Sequence, residues 1–133
     1  MFCRERAARF SELRHEIEGH GASVVAIGNG TVHMANDFLE QFSIEIPVFT
    51  DPSRATYRLA GLKRSFGLGL KSIGRGRRAM SQGHRQGATR GDPWQQGGLL
   101  LVDTKGEMLF RHVDDGAGDE EDTSLLMAAL SAL

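Results

Sequence analysis

Segments with the apolar spacing of helices alternate along this chain with short apolar runs that are typical of strands. Residues Phe2–Gly19 carry apolar side chains every three or four positions, which predicts an amphipathic helix ended by the glycines that follow. The run Ala22–Ile27 lies between glycines and predicts a strand buried on both faces of a parallel sheet. A helix capped by Thr31 and a strand over Ile46–Phe49 follow. This alternation favours the α/β class.

The second half of the chain ends in an antiparallel pattern. Ser53 is expected to cap a short helix over Arg54–Ala60. Two apolar runs, Leu99–Asp103 and Glu107–Val113, flank a Thr-Lys-Gly turn and predict a β-hairpin. A final helix is expected after the acidic run Asp119–Asp122, whose charges favour the first turn of a helix. The predicted order is helix, strand, helix, strand, helix, loop, hairpin, helix.

Length and charge exclude several classes of protein. The 133 residues argue for a single domain over 1–133, because domains usually hold about 100–200 residues. A formal net charge of −1 gives no overall electrostatic reason to expect nucleic acid or an anionic membrane as a partner. The sequence has neither the apolar run of a signal peptide nor about 18 consecutive apolar residues, which predicts a cytoplasmic protein. One cysteine, Cys3, excludes an intrachain disulfide and a multi-cysteine zinc site.

Residues 63–94 interrupt the alternation with a basic, glycine-rich loop or insertion. Between Pro52 and Gly91 there are ten Lys or Arg residues and no Asp or Glu. A loop of this length in a compact domain is uncommon and is usually functional. Clustered cations can bind phosphates, but few aromatic residues stand among these ones. The alternative is a solvated loop balanced by the acidic segment 114–122.

Three motifs, taken in their order along the chain, resemble one protein family. They are Phe2-Cys3-Arg4-Glu5 opening the first helix, Asp51-Pro52 after the second strand, and Asp92-Pro93-Trp94-Gln95-Gln96-Gly97-Gly98 before the hairpin. Together with the basic stretch, they resemble the peroxiredoxin-like branch of the alkyl hydroperoxide reductase and thiol-specific antioxidant (AhpC/TSA) family. The resemblance covers nearly the whole chain and implies a thioredoxin-like mixed sheet flanked by helices.

Members of this family usually have a strand followed by Cys-x-x-Cys at the start of the first helix, and Cys3 matches the second of those cysteines. The resemblance therefore predicts an N-terminally truncated fold that lacks the first strand and the leading cysteine. That strand is central in a thioredoxin-like sheet, so its absence is expected to expose two strand edges and to favour homo-oligomers. A late start codon, a trimmed chain and a degenerate family member all fit this pattern.

The resemblance places the candidate chemistry at Cys3. A thiolate at a helix N-terminus is stabilised by the helix dipole, and the adjacent Arg4 adds to the effect, so the pKa of the thiol is expected to be lowered. Such a thiolate attacks a peroxide or a disulfide. The chain has no second cysteine, so a catalytic cycle needs an external thioredoxin- or glutathione-like thiol. Alternatively, Cys3 is the resolving member of an incomplete pair, or a small buried residue without chemistry.

In related thioredoxin-like proteins, the loop before the hairpin faces the active cysteine. The resemblance therefore implies substrate-binding positions at Trp94, Gln96, Gly97 and Gly98. The alternatives are a tight turn for the two glycines and an anchor for the long loop in the case of Trp94. The five histidines are scattered and none forms a short metal-binding pair with Cys3, so neither a metal nor a cofactor is expected.

The sequence thus predicts a thiol-dependent antioxidant oxidoreductase that reduces peroxides or disulfides through Cys3. Two alternatives remain open at this stage. One is a redox-inactive thioredoxin-like binding or scaffold protein that uses its basic loop, and the other is a catalytically incomplete fragment. Loss of peroxide reactivity on replacing Cys3 would support the oxidoreductase, whereas an inert thiol with salt-sensitive binding to anionic partners would support the scaffold.

Overall fold

A computed structural model describes residues 2–64, 95–115 and 123–133, and the side chains of residues 2–4 lie outside that description. The elements in chain order are α1 (Phe2–Glu12), α2 (Arg14–Gly19), β1 (Ala26–Gly28), α3 (Val32–Phe42), β2 (Val48–Thr50), α4 (Ala55–Leu59), β3 (Gly98–Val102), β4 (Met108–Val113) and α5 (Thr123–Ser131). Their order confirms the predicted alternation and hairpin. Most of the basic stretch 63–94 and the acidic run Asp119–Asp122 lie outside the described residues.

The first predicted helix is present, but it is divided at Leu13 instead of running unbroken over Phe2–Gly19. The ψ angle of Leu13 is −3°, far from the helical value of about −42°. The Leu13 amide still donates to the Arg9 carbonyl at 3.0 Å, so α2 follows directly from α1. The predicted stop is confirmed at Gly21, whose φ of 77° is a conformation that favours glycine.

The first two strands pair in parallel, with Ile27 of β1 opposite Phe49 of β2. Both are shorter than the predicted strands over Ala22–Ile27 and Ile46–Phe49. The expectation that the first strand is buried on both faces is wrong. Along this segment Val24 and Ala26 pack on the core, whereas Val25 and Ile27 are exposed. A continuous apolar run does not reveal which faces of a strand are covered, and here only one face is.

The other two strands form the predicted antiparallel hairpin, with Leu101 of β3 opposite Phe110 of β4. Asp103 stabilises the turn between them. Its Oδ1 accepts hydrogen bonds from the amides of Lys105 and Glu107, each at 2.8 Å. A carboxylate that accepts from nearby amides is a common device of tight turns, which is why the Asp-Thr-Lys-Gly sequence predicts this one.

The described strands form two separate pairs, where the resemblance led us to expect one mixed sheet. Both pairs nevertheless pack on the same apolar core. Its buried residues are Ala7, Phe10, Ile17, Ile44, Ile46, Leu126 and Leu130. Ala26 and Val48 of the first pair, and Leu99 and Leu101 of the second, pack against these residues. Helices α1 and α5 thus hold the two strand pairs together in a thioredoxin-like α/β fold. The absence of the first strand of that fold stays a prediction.

Helix α4 and the residues after it also contact both strand pairs. The Tyr57 hydroxyl donates to the carbonyl of Ile27 in β1 at 2.7 Å. From the other pair, Nη2 of Arg111 in β4 donates to the carbonyl of Ala60 at 3.2 Å. Among the described strands no backbone ladder connects β1 with β3, so these side-chain bonds link the pairs through α4.

Asp51 orders the start of α4. Its carboxylate accepts hydrogen bonds from the Ser53 hydroxyl at 2.5 Å, and from the amide and the hydroxyl of Thr56 at 2.8 and 2.6 Å. These bonds, with that from Ser53 the largest cause, lower the pKa of Asp51 from 3.8 to about 2. The sequence predicts that Ser53 caps a helix over Arg54–Ala60, but the N-cap is Arg54, with a φ of 60° and no side-chain capping bond, and α4 covers Ala55–Leu59. The Ser53 hydroxyl still accepts a hydrogen bond from the Ala55 amide at 3.3 Å. The carboxylate of Asp51 supplies the shorter bonds.

Replacing Leu130 by alanine is expected to lower the free energy of unfolding by about 2–5 kcal/mol, because it leaves a cavity in the core. The Leu130 side chain is 2% exposed, whereas that of Leu133, three residues later, is 62% exposed. Leu133→Ala is therefore the matched control, with an expected change of less than about 0.5 kcal/mol. Urea unfolding followed by circular dichroism measures both, and equal losses would contradict this placement of the core.

The start of α4 is expected to withstand acid until the pH is well below 3.8. Because folding lowers the pKa of Asp51, its stabilising contribution is complete above 3.8 and is lost as the pH falls through about 2. The Thr56 amide proton, followed by NMR during an acid titration, reports this transition. Asp51→Asn has no carboxylate to protonate and should lack it. A wild-type midpoint at or above 3.8 would contradict the assignment.

Candidate functional site

Cys3 stands in the first turn of helix α1. Residues 3, 6, 7 and 10 have the spacing of a single helix face, and Ala7 and Phe10 of this set are buried in the core. Cys3 and Arg6 therefore occupy the same face, nearer the start of the helix. Arg4 lies on another face, about 100° around the axis from Cys3. The backbone thus puts both predicted residues, Cys3 and Arg4, in the first turn of α1.

Arg6 joins this first part of α1 to the end of the hairpin. Its guanidinium donates two hydrogen bonds to the Asp114 carboxylate, from Nη2 to Oδ1 at 2.8 Å and from Nη1 to Oδ2 at 3.1 Å. The two side chains are only 16% and 14% exposed. A paired contact of this kind fixes the orientation of both groups in addition to balancing their charges. The helix start is therefore held against the residue that follows β4.

Gly97 makes room for that contact. The Asp114 amide donates to the Gly97 carbonyl at 3.0 Å, which extends the pairing of β3 and β4 by one residue. A Cβ on Gly97 would stand 2.5 Å from Oδ2 of Asp114 and 3.7 Å from Nη1 of Arg6. At Gly98 a Cβ would stand 2.6 Å from the His112 carbonyl oxygen. Close approach of neighbouring atoms thus requires glycine at both positions.

Gln96 engages both ends of its side-chain amide within the protein. Nε2 donates to the Asp114 carbonyl at 2.7 Å, and Oε1 accepts from the Lys63 amide at 3.2 Å. The backbone amide of Gln96 also donates to the Lys63 carbonyl at 3.0 Å. These contacts tie the segment after α4 to the hairpin. They give Gln96 a structural role, and its role in substrate binding stays a prediction.

His112 adds a titratable group beside the ion pair. Its Nε2 lies 3.4 Å from Oδ1 of Asp114 and forms an ion pair with it when the imidazole is protonated. We call the set Arg6, Gln96, Gly97, His112 and Asp114 the polar corner. Its charged and polar groups can orient and polarise a neighbouring group. The predicted nucleophile, Cys3, stands in the first turn of α1, and its role stays a prediction.

Trp94, the remaining predicted site residue, lies outside the described residues. Within the parts of the chain that the structure describes, no three His, Cys, Asp or Glu side chains are grouped as metal ligands would be. In those same parts no helix combines the length and the apolar character needed to cross a bilayer.

The sequence pointed to Arg4 and missed Arg6 and Asp114. Arg6 follows Cys3 by three residues, so helical spacing alone places the two on one face, and this signal was available. Asp114 is different, since in the sequence it is only the first residue of an acidic segment. Its contact with Arg6 spans 108 positions and depends on the hairpin register that sets it opposite Gly97.

Gly97→Ala is expected to lower the free energy of unfolding by about 1–3 kcal/mol, because the added methyl group must displace the Asp114 carboxylate. Gly19→Ala is the matched control, since a Cβ there has no heavy atom within 4 Å. Replacing that helical glycine is expected to be neutral or stabilising. Chemical denaturation of both variants measures the difference, and a Gly97→Ala protein as stable as the wild type would contradict the tight packing.

Comparison with known proteins agrees with this fold. A family model described as AhpC/TSA antioxidant enzyme matches residues 9–116. The thioredoxin-like protein AAED1, chloroplastic, of Arabidopsis thaliana is 29% identical over 146 residues, which cover 99% of this chain and 58% of that protein. The prostamide/prostaglandin F synthase of Salmo salar is 31% identical over 125 residues, which cover 88% of this chain and 62% of that protein.

The protein of the same name from Xenopus tropicalis is 30% identical over 127 residues, covering 90% of this chain and 62% of its own length. This chain therefore spans about three-fifths of these three relatives. The family match extends from within α1 through the hairpin and so includes both strand pairs. The chain belongs to the AhpC/TSA antioxidant enzyme family and has a thioredoxin-like fold.

Proposed function

We propose that this chain is a thiol-dependent oxidoreductase that reduces peroxides or disulfides through Cys3. One observation carries the proposal: the ion pair of Arg6 with Asp114 holds α1, whose first turn contains Cys3, against the end of the hairpin beside Gly97. A cysteine in the first turn of a helix, beside cationic side chains, has the surroundings that favour the thiolate. Family membership supports the same class of chemistry.

With a peroxide, the reaction has two stages. The Cys3 thiolate attacks one peroxide oxygen, the O–O bond breaks, and the other oxygen leaves and takes up a proton as water or an alcohol. Cys3 is oxidised by two electrons to the sulfenic acid. An external thiol then condenses with it to give a mixed disulfide and water. A second external thiol displaces Cys3 as a free thiol and leaves as the other half of an external disulfide.

With a disulfide as substrate, the same thiolate attacks one sulfur and releases the other as a thiol. Cys3 is the only cysteine in these 133 residues, so both routes regenerate it with external thiols. A reductant of the thioredoxin or glutathione type fits this need. A homo-oligomer formed through strand edges belongs to the same proposal, since a second copy would bring a further thiol.

A binding or scaffold role without redox chemistry is the second candidate. The observation that favours it is that Gln96 forms bonds within the protein through Nε2, Oε1 and its backbone amide. The family match also begins at residue 9, beyond Cys3 and Arg4. A family member that has this fold and an unreactive thiol would fit both observations.

Cys3→Ser is expected to abolish the formation of sulfenic acid and of mixed disulfide, because Cys3 is the only cysteine in these 133 residues. Purified protein is exposed in turn to hydrogen peroxide, an organic hydroperoxide and a small disulfide, in the presence of a sulfenic-acid trap. Intact-mass analysis then detects the trapped adduct or the mixed disulfide. The trap is needed because the chain also has five methionines, which gain oxygen under the same conditions. The wild type should form adducts and Cys3→Ser should form none.

An inert wild-type thiol would contradict the proposal. Alkylation by iodoacetamide supplies the control, since it shows that Cys3 is accessible as a thiol in the same preparation. A thiol that is alkylated but forms no adduct with any of the three oxidants would favour the scaffold role. Turnover is measured separately, with reduced glutathione and reduced thioredoxin as the external thiols.

A further inference from the structure

We propose that the side of the protein turned away from the core binds an acidic, partly apolar segment of another protein. The surface combines exposed apolar side chains with exposed cations, and we call it the outer surface. It consists of Ile27, Phe49, Arg58, Leu59, Lys63 and Arg111. The inference goes beyond the proposed function, because it involves neither Cys3 nor thiol chemistry.

The apolar part of the outer surface begins on the first strand pair. Ile27 and Phe49 lie opposite each other in the parallel register and alternate with Ala26 and Val48, which pack on the core. The side chains of Ile27 and Phe49 are 43% and 56% exposed. Parallel strands normally have both faces covered by other elements. An exposed apolar pair on such strands therefore indicates a surface that a partner covers.

Helix α4 and the residues after it lie on the same side of the protein. In the hairpin, Gly98 and Arg111 alternate with the side chains that pack on the core, so they face the other way. A Cβ on Gly98 would stand 3.0 Å from Cδ2 of Leu62, and Nη2 of Arg111 donates to the Ala60 carbonyl at 3.2 Å. Both strand pairs thus face the core on one side and the α4 region on the other.

Leu59 extends the apolar surface. It is 88% exposed, more than any other large hydrophobic residue that the structure describes. Leu59 lies about 200° around α4 from Tyr57, whose hydroxyl donates to the Ile27 carbonyl at 2.7 Å. Tyr57 thus faces β1 and Leu59 faces the solvent. A single exposed leucine is common, but one that shares a side of the protein with exposed Ile27 and Phe49 adds to a patch of the kind that binds partners.

The outer surface is also positively charged. Residues 52–64 include four Lys or Arg and no Asp or Glu. The guanidinium groups of Arg58 and Arg111 donate to backbone carbonyls at 2.8 and 3.2 Å, which hold them in place without cancelling their charge. Lys63 is exposed beside them in the chain. Asp51 directly precedes this segment, but its carboxylate bonds to the start of α4.

These charges, together with the apolar side chains, indicate the class of partner. Arginine and aromatic residues are enriched in protein–protein interfaces. Exposed cations beside apolar side chains are complementary to a segment that carries Asp or Glu next to Leu, Ile, Phe or Trp. A formal net charge of −1 gives the chain as a whole no attraction to an anionic bilayer. An acidic protein segment is therefore favoured over a membrane surface.

The test starts from a library of random short peptides displayed on phage, selected on the immobilised full chain. We expect enrichment of peptides that combine acidic and apolar residues. Fluorescence polarisation of the most enriched peptide, synthesised with a fluorescent label, then measures its affinity. Leu59→Ser should weaken binding about tenfold, because an apolar contact is lost. The double variant Arg58→Gln, Lys63→Gln should weaken it about five- to tenfold at low salt and less at high salt.

Leu133→Ser and Lys105→Gln are the matched controls. Leu133 is 62% exposed after α5, and Lys105 is exposed in the hairpin turn, so neither belongs to the outer surface. Both should bind the peptide as the wild type does, and circular dichroism establishes that each variant is folded. Selection without enrichment of acidic residues would overturn the inference. Equal losses of affinity in the controls and in the outer-surface variants would also overturn it.

Vesicles of phosphatidylcholine with phosphatidylserine test the membrane alternative. If the chain binds these vesicles but no acidic peptide, and the outer-surface variants lose the vesicles, the surface is a membrane site and the inference is wrong. Cys3→Ser should bind the peptide as tightly as the wild type. A chain with an inert thiol that still binds the peptide would disprove the proposed function and leave this inference standing.

Discussion

The shared apolar core is the constraint on which the rest of this fold depends. Among the described strands, hydrogen bonds align β1 with β2 and β3 with β4, but no ladder aligns one pair with the other. Both pairs keep their relation because their inner side chains pack on the same residues of α1 and α5, such as Phe10 and Leu130. Apolar contact has no preferred direction. Two hydrogen bonds supply orientation: the Tyr57 hydroxyl of α4 donates to β1, and Arg111 of β4 donates to the carbonyl of the residue after α4.

In the polar corner, too, a directional bond adds orientation to apolar packing. Phe10 and Ala7 hold α1 on the strands, and apolar packing alone would tolerate small rotations or shifts of the helix start. A bidentate bond tolerates much less, because both donors and both acceptors must stay aligned. The contact between Arg6 and Asp114 thus fixes the orientation of a helix that apolar packing holds in place. These partly buried charges are tolerated because each has the other as a hydrogen-bonded partner.

The sequence predicts those features that depend on local patterns. Helix α3 begins as expected, with Thr31 accepting a hydrogen bond from the Met34 amide at 3.4 Å, and the hairpin follows from its two apolar runs and turn. The one-sided burial of β1 and the break at Leu13 did not follow, because both depend on what packs against the element. Local patterns could not predict the Arg6–Asp114 contact, because these residues are 108 positions apart and meet only when the hairpin register is fixed.

The family scaffold and the proposed thiol lie in different parts of the chain, and one contact connects them. The family match covers residues 9–116, and therefore includes Gly97 and Asp114 but neither Cys3 nor Arg6. The scaffold is accordingly assigned without reference to the thiol. Arg6 lies before the matched region and Asp114 within it, so their bidentate bond physically couples the thiol-bearing turn to the family scaffold. Because both donors and both acceptors of that bond must stay aligned, it fixes the first part of α1 relative to the end of the hairpin, in addition to the apolar packing of Ala7 and Phe10.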